Sequence, residues 1–293
     1  MTTTLQRNAQ QQPQSSSHAA GKQHDEFDSD AFEHQRQSLP YLQLLNHQDP
    51  DQSGFFIPSE NAEAVSFTPT PEWLPHTAAF QNGSTVEGYR SLLARFLILH
   101  SSPLLMFERE SGEFIGSYRK AQYQRSSMVL KRRYLVFLIS QDKRLLHSSP
   151  LLLTAKGAFC GSFGQTVEQF RHDMSKAYSA ATGAKQPRGE RFMALSILAV
   201  RLQPQLKGQT KQSWVCSVSE YGVPTVENWQ AFFIGYRVEL KQQILAQYDE
   251  WASFGSLERE FASQRQVSPA EASVSQGQAE NFEEFDYGYP EAI

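Results

Sequence analysis

The sequence predicts an α+β fold with a β-rich antiparallel core, in the manner of an OB-like barrel, and three observations carry that expectation. Short apolar or β-branched runs follow one another between Leu92 and Lys156, separated by turn signals. One stretch of helical periodicity follows them, and a second closes the folded part. The chain of 293 residues, 40% hydrophobic and 12% aromatic, is long enough to bury one large core.

The strands come first. LLARFLIL (92–99), PLLMFER (103–109), EFIGSY (113–118), SMVLKRRYLVFLIS (127–140) and PLLLTAK (150–156) are broken by SS-P, ESG, QDK and SS-P again, as in a meander or small barrel. FFIPS and AVSFT upstream read as additions to it. The carboxylates of Glu108, Glu110 and Glu113 in ERESGE suit a charged hairpin turn. In TVEQFRHDMSKAYSAATG, Val167, Phe170, Met174, Ala177 and Ala181 keep helical spacing, and Gly183 supplies the stop. The glycines of TAKGAFCGSFGQT, just before, match no phosphate-loop or dinucleotide motif and read as a tight turn from strand into helix. FMALSILAVRL (192–202) and SWVCSVS (213–219) are two further strands. ENWQAFFIGY and a C-terminal helix follow, the helix turning Leu240, Ile244, Tyr248 and Trp251 inward.

The flanks differ in composition. Residues 1–38 are rich in Gln, Ser, Asp and His and read as a disordered segment, whereas 39–262 form a single folded domain. Residues 263–293 read as a flexible linker, SQRQVSPAEASVSQGQ, and an acidic-aromatic tail, ENFEEFDYGYPEAI. Without a signal-peptide pattern or a long apolar run, the expectation is a cytoplasmic protein with no membrane partner.

Charge separates into three blocks that the net value of −4 conceals. Residues 1–86 carry −7, residues 87–211 carry +12 from twenty basic and eight acidic side chains, and residues 212–293 carry −9. Such a field is a statement about partners. Its densest part is YRKAQYQRSSMVLKRRY (118–134), with six cations, three tyrosines and no carboxylate. Cations that track phosphates, interleaved with rings that stack on bases, are what single-stranded nucleic acid requires. The candidate nucleic-acid-binding residues are therefore Arg119, Lys120, Tyr123, Arg125, Lys131, Arg132, Arg133 and Tyr134. Lys156 joins them, with Lys185, Arg188 and Arg191 from the basic loop AKQPRGER (184–191). Because Lys131, Arg132 and Arg133 are consecutive, their strand must leave the core there or lie at an edge, where cations also guard against aggregation.

Catalytic signals are thin. Cys160 and Cys216 sit in apolar surroundings and read as buried thiols, and the histidines are scattered without metal-ligand spacing. No catalytic residue, metal or cofactor is assigned.

The tail residues Phe282, Glu283, Glu284, Phe285, Asp286, Tyr287, Tyr289 and Pro290, beyond a polar linker and a basic domain, resemble the layout of bacterial and phage single-stranded-DNA-binding proteins. That resemblance implies single-stranded DNA or RNA as partner, and a tail that competes with nucleic acid or docks a protein partner through Phe282, Phe285, Asp286, Tyr287 and Tyr289. The family tail ends in Pro-Phe, whereas this one continues through Glu291, Ala292 and Ile293. LPYLQLLN, GFFIPSENAEAV, KGAFCGSFG, WVCSVSEYGVPTVENW and FFIGY are similar to an uncharacterised cyanobacterial family, a domain of unknown function, which implies a bacterial cytosolic protein and no chemistry. The reading is single-stranded nucleic-acid binding with weak sequence preference. The alternative is a non-enzymatic assembly or adaptor protein, a homo-oligomer joined through basic-centre to acidic-tail contacts.

Overall fold

A computed structural model describes residues 39–80, 83–208 and 212–256. The expectations for residues 1–38 and for the tail from Ser263 onward lie outside them. Within the described residues the fold is α+β, built on a strongly curled, half-barrel mixed sheet.

In chain order come β1 (Tyr41–Leu45), β2 (Gly54–Pro58), helix α1 (Ser59–Ala64), β3 (Leu74–Ala79), β4 (Thr85–Ser91), β5 (Leu93–Ser101), β6 (Leu105–Glu108) and β7 (Phe114–Ser117). They continue with β8 (Met128–Leu138), β9 (Leu151–Lys156), α2 (Gly157–Thr182), α3 (Glu190–Ala194), β10 (Ile197–Lys207), β11 (Ser213–Tyr221) and α4 (Val238–Glu250). The sheet runs β11-β10-β5-β8-β9-β1-β2-β4-β3, with β6 also on β8 and β7 on β6. All pairs are antiparallel except β1 with β9, which makes the sheet mixed. The Glu108–Glu113 segment forms the expected hairpin turn, closed by the Glu108 N–H on the Glu113 carbonyl at 2.7 Å.

β8 organises the sheet. β9 flanks one side of it, and β5 and β6 share the other, end to end. Between those two, Ser102 fills the gap in the ladder: its N–H donates to the Arg133 carbonyl at 2.8 Å, and its hydroxyl accepts from the Arg133 N–H at 2.9 Å. The SS-P break thus lets one sheet edge carry two successive strands without leaving buried backbone groups unpaired.

Both faces of β8 are used, as its period of two requires. Tyr134, Val136 and Leu138 enter the larger core beneath α2 with Phe55, Phe96 and Phe163. Leu135 and Phe137 enter a second core beneath α4 with Leu97, Leu99 and Ile244, and Leu240, Tyr248 and Trp251 pack against it as the helical spacing foretold. Burying residues of this size contributes about 1.5–3 kcal/mol each, so the two faces together fix the register of β8.

Several boundaries differ from expectation. AVSFT is not a strand: Val65 caps α1, and Ser66 takes a left-handed conformation (φ 54°) that turns the chain away. FMALS belongs to α3 and the bridge after it, so the strand begins at Ile197. The glycine-rich stretch is the first part of α2 itself, which starts at Gly157 and ends at the left-handed cap Gly183 (φ 74°). Phe159 and Phe163 in that stretch bury themselves in the larger core, and this packing overrides the low helix propensity of the glycines.

Candidate functional site

Four strands set one row of side chains on the face that α4 partly covers. Ser117, Leu105, Lys131 and Lys156 are in direct register across β7, β6, β8 and β9. Opposed residues of an antiparallel pair share a face, with their Cβ atoms about 4.5–5.5 Å apart. Lys131 and Lys156 therefore stand side by side. Of the two alternatives expected for this strand, the edge is overturned, because β8 is paired on both sides along Lys131–Arg133, whereas the strand does leave the core there: residues 128–133 are half-buried and 134–138 buried.

Beneath the pair lies an aromatic floor. The Lys131 ammonium is 4.3 Å from the Phe107 ring centroid, and the Arg133 guanidinium sits 5.6 Å from the same ring. Phe107 belongs to a small cluster with Leu105 and Phe114. Burial, then the charges of Lys156 and Arg133, push the Lys131 amine down to about 8; burial lowers Lys156 as well. Among the described residues, neither lysine pairs with a carboxylate. Two half-buried cations side by side on an apolar floor repel each other and favour an anion between them.

The remaining predicted residues separate into three groups. Arg132 and Tyr134 point to the other face, toward α2. Tyr134 is fully buried with its ring edge-on to Phe163 at 5.1 Å, and burial raises its hydroxyl far above the usual range. It is a core ring and stacks on no base, which corrects its assignment as a binding residue. The Arg132 guanidinium lies along α2, 3.9 Å from Glu168.

The loop between β7 and β8 holds the second group. The Tyr118 and Tyr123 rings meet edge to face at 5.6 Å, and the Gln122 and Tyr123 N–H groups close a turn on the Arg119 carbonyl. Arg109 donates to the carbonyls of Arg125 and Met128, which ties the loop to the start of β8. Arg119 and Lys120 are exposed, whereas Tyr123 and Arg125 are half-buried.

The third group does not join the row. The 26 residues of α2 carry the chain about 39 Å along the helix axis from Lys156 before Lys185 and Arg188 begin. Arg188 stacks over Tyr178 at 4.9 Å, and Arg191 is held in an ion pair with Asp249. Phe107 was missed in the sequence, where PLLMFER reads as core. Only the register of β6 on β8 reveals its second role beneath the cations.

Cys160 and Cys216 are buried, and burial pushes both thiols up to about 11, which suits inert packing rather than nucleophilic chemistry. Among the described residues no three His, Cys, Asp or Glu side chains come together as a metal site, and no helix is long and apolar enough to cross a membrane.

Fold and site together define a β-rich α+β domain that presents a cationic pair across β8 and β9. The chain belongs to the DUF5895 family, a domain of unknown function, whose model matches residues 36–267. It is also 27% identical over 184 residues to uncharacterized protein 254L of Invertebrate iridescent virus 6, covering 58% of this chain and 55% of that one. The chain thus spans about half the length of that viral relative. No solved structure matches it. The family match agrees with the resemblance to a domain of unknown function; the likeness of the tail to single-stranded-DNA-binding proteins gains no support from it.

Proposed function

We propose that this protein binds single-stranded nucleic acid, without strong sequence preference, along the face that carries Lys131, Lys156 and Arg133, with Tyr123 and the cations of the β7–β8 loop extending the contact. The observation that carries the reading is the in-register lysine pair with no carboxylate partner among the described residues. An anionic polymer relieves their repulsion, and exposed Arg119 and Lys120 offer further phosphate contacts in the loop that leads from β7 into β8.

The acidic tail competes for the same face in this reading. Gly255, one residue before the described part ends, packs against Ser102, which is bonded to the backbone of Arg133. In this reading the linker expected from residue 263 onward acts as a flexible coil of about 20 residues, with a reach of about 25 Å, and returns Glu283, Glu284 and Asp286 to the cations.

Fluorescence anisotropy of labelled oligo-dT, oligo-dA and a duplex of equal length tests the reading. Tighter binding of both single strands than of the duplex supports it, and the absence of binding to all three at low salt overturns it.

A further inference from the structure

We propose that the seat between Lys131 and Lys156 takes the terminal phosphate monoester of a nucleic-acid strand in preference to an internal phosphodiester. The inference rests on the nucleic-acid reading above and names the group that the site distinguishes.

Charge matching is the first argument. An internal diester brings one negative charge against the Lys131 and Lys156 ammonium groups and the Arg133 guanidinium, which shares the Phe107 ring with Lys131. A monoester, with a second pKa of about 6, brings about −1.5 to −2 at neutral pH and compensates more of that charge. In open water the difference is small, but both lysines are half-buried, and a buried charge is costly unless it is paired.

Geometry is the second. The pair stands side by side rather than spaced along a groove, since Lys131 and Lys156 are direct cross-strand partners. The floor under Lys131 is the Phe107 ring, next to Leu105 and Phe114, and the Arg133 guanidinium lies over the same ring at 5.6 Å. At Lys156 β9 ends, and Gly157 turns the chain into α2 with φ 56°, so the strand that forms one side of the seat stops there. Three cations thus gather over one apolar floor where β9 ends, and this concentration of positive charge suits a dianionic terminal phosphate better than a singly charged diester. The Lys131 amine, held down to about 8 by burial and by its neighbours, also gains a proton more readily once a dianion is seated.

The test uses the full chain and three internally labelled oligonucleotides of one sequence, carrying a 5′-phosphate, a 3′-phosphate or neither. At least one phosphorylated form should bind about tenfold more tightly than the unphosphorylated strand. That advantage should fall below about twofold in Lys131→Ala/Lys156→Ala and persist in Lys176→Ala, an exposed position on α2. The two phosphorylated arms tell which end is read. Should the double variant not fold, inorganic phosphate takes its place, and it should remove the advantage of the phosphorylated strand from the native chain. Equal binding of all three strands overturns the terminal seat and leaves the nucleic-acid reading standing; binding of none overturns both.

Discussion

Lys131 and Lys156 face each other across the β8–β9 ladder, with the Phe107 ring 4.3 Å below the Lys131 ammonium. A sheet interior ordinarily places an apolar or oppositely charged pair at such a position, because like charges directly opposite destabilise the sheet. The arrangement holds a local strain of charge that an anion would release, and its effect on stability is measurable without knowing the ligand.

Removing the charge should stabilise the unliganded protein. The Lys131 amine lies at about 8 in the fold against 10.5 in the unfolded chain, so the protonated form is disfavoured by about 3 kcal/mol. Lys131→Met is expected to raise the melting temperature at neutral pH while weakening oligonucleotide binding. For the native chain the penalty is full below about 8 and fades as pH rises toward 10.5, so stability should increase over that window. Denaturant titrations should find this rise in the native chain and a flatter profile in the variant.

A second titration concerns the core. His147 accepts the Leu138 N–H at 2.8 Å through Nε2, and its Nδ1 lies 2.6 Å from the Ser149 carbonyl, an arrangement that needs the neutral ring. Burial holds it down to about 4 against an ordinary 6.5. The unfolded chain therefore binds the proton more tightly, and stability falls as pH drops from about 6.5 to 4, by about 3 kcal/mol at most. His147→Gln should lose this part of the acid sensitivity, as read from unfolding midpoints across the window.

The two tyrosines nearest the cations should behave differently. Tyr134→Ala opens a cavity against Phe163 and is expected to cost about 3–5 kcal/mol of stability. Tyr123→Ala should leave the melting temperature nearly unchanged and weaken oligonucleotide binding by about 1–3 kcal/mol, the value of one stacked base. Thermal melts beside anisotropy titrations separate the two outcomes.

What the sequence disclosed and what it hid follow from periodicity. The runs around β5, β8 and β9 and the amphipathic faces of α2 and α4 were legible, because their apolar spacing is set by the core they enter. β1, β3 and β4 were not: LPHTAA and TVEGYRS carry no apolar run, and these strands owe their existence to pairing with β2 and with each other. The site was half legible. Its cations stood out by charge, but strand alternation sends Arg132 and Tyr134 to one face and Lys131 and Arg133 to the other, and only the register with β9 sets Lys156 beside Lys131.

The tail yields a prediction of its own. Truncation after Gly277 should tighten oligonucleotide binding at low salt, and most of that gain should vanish at high salt, since charges are screened over about 10 Å at 0.1 M. Unchanged affinity at low salt would show that the tail does not compete.

The salt dependence of oligo-dT binding by the full chain and by Lys131→Ala/Lys156→Ala tests the central claim most directly. On a single strand, each lost phosphate contact lowers the slope of log affinity against log salt by about 0.7, so the double variant should be shallower by roughly 1.4. Arg132→Ala, on the α2 face, should keep the native slope. An unchanged slope in the double variant, with the fold intact by thermal melt, would contradict the account.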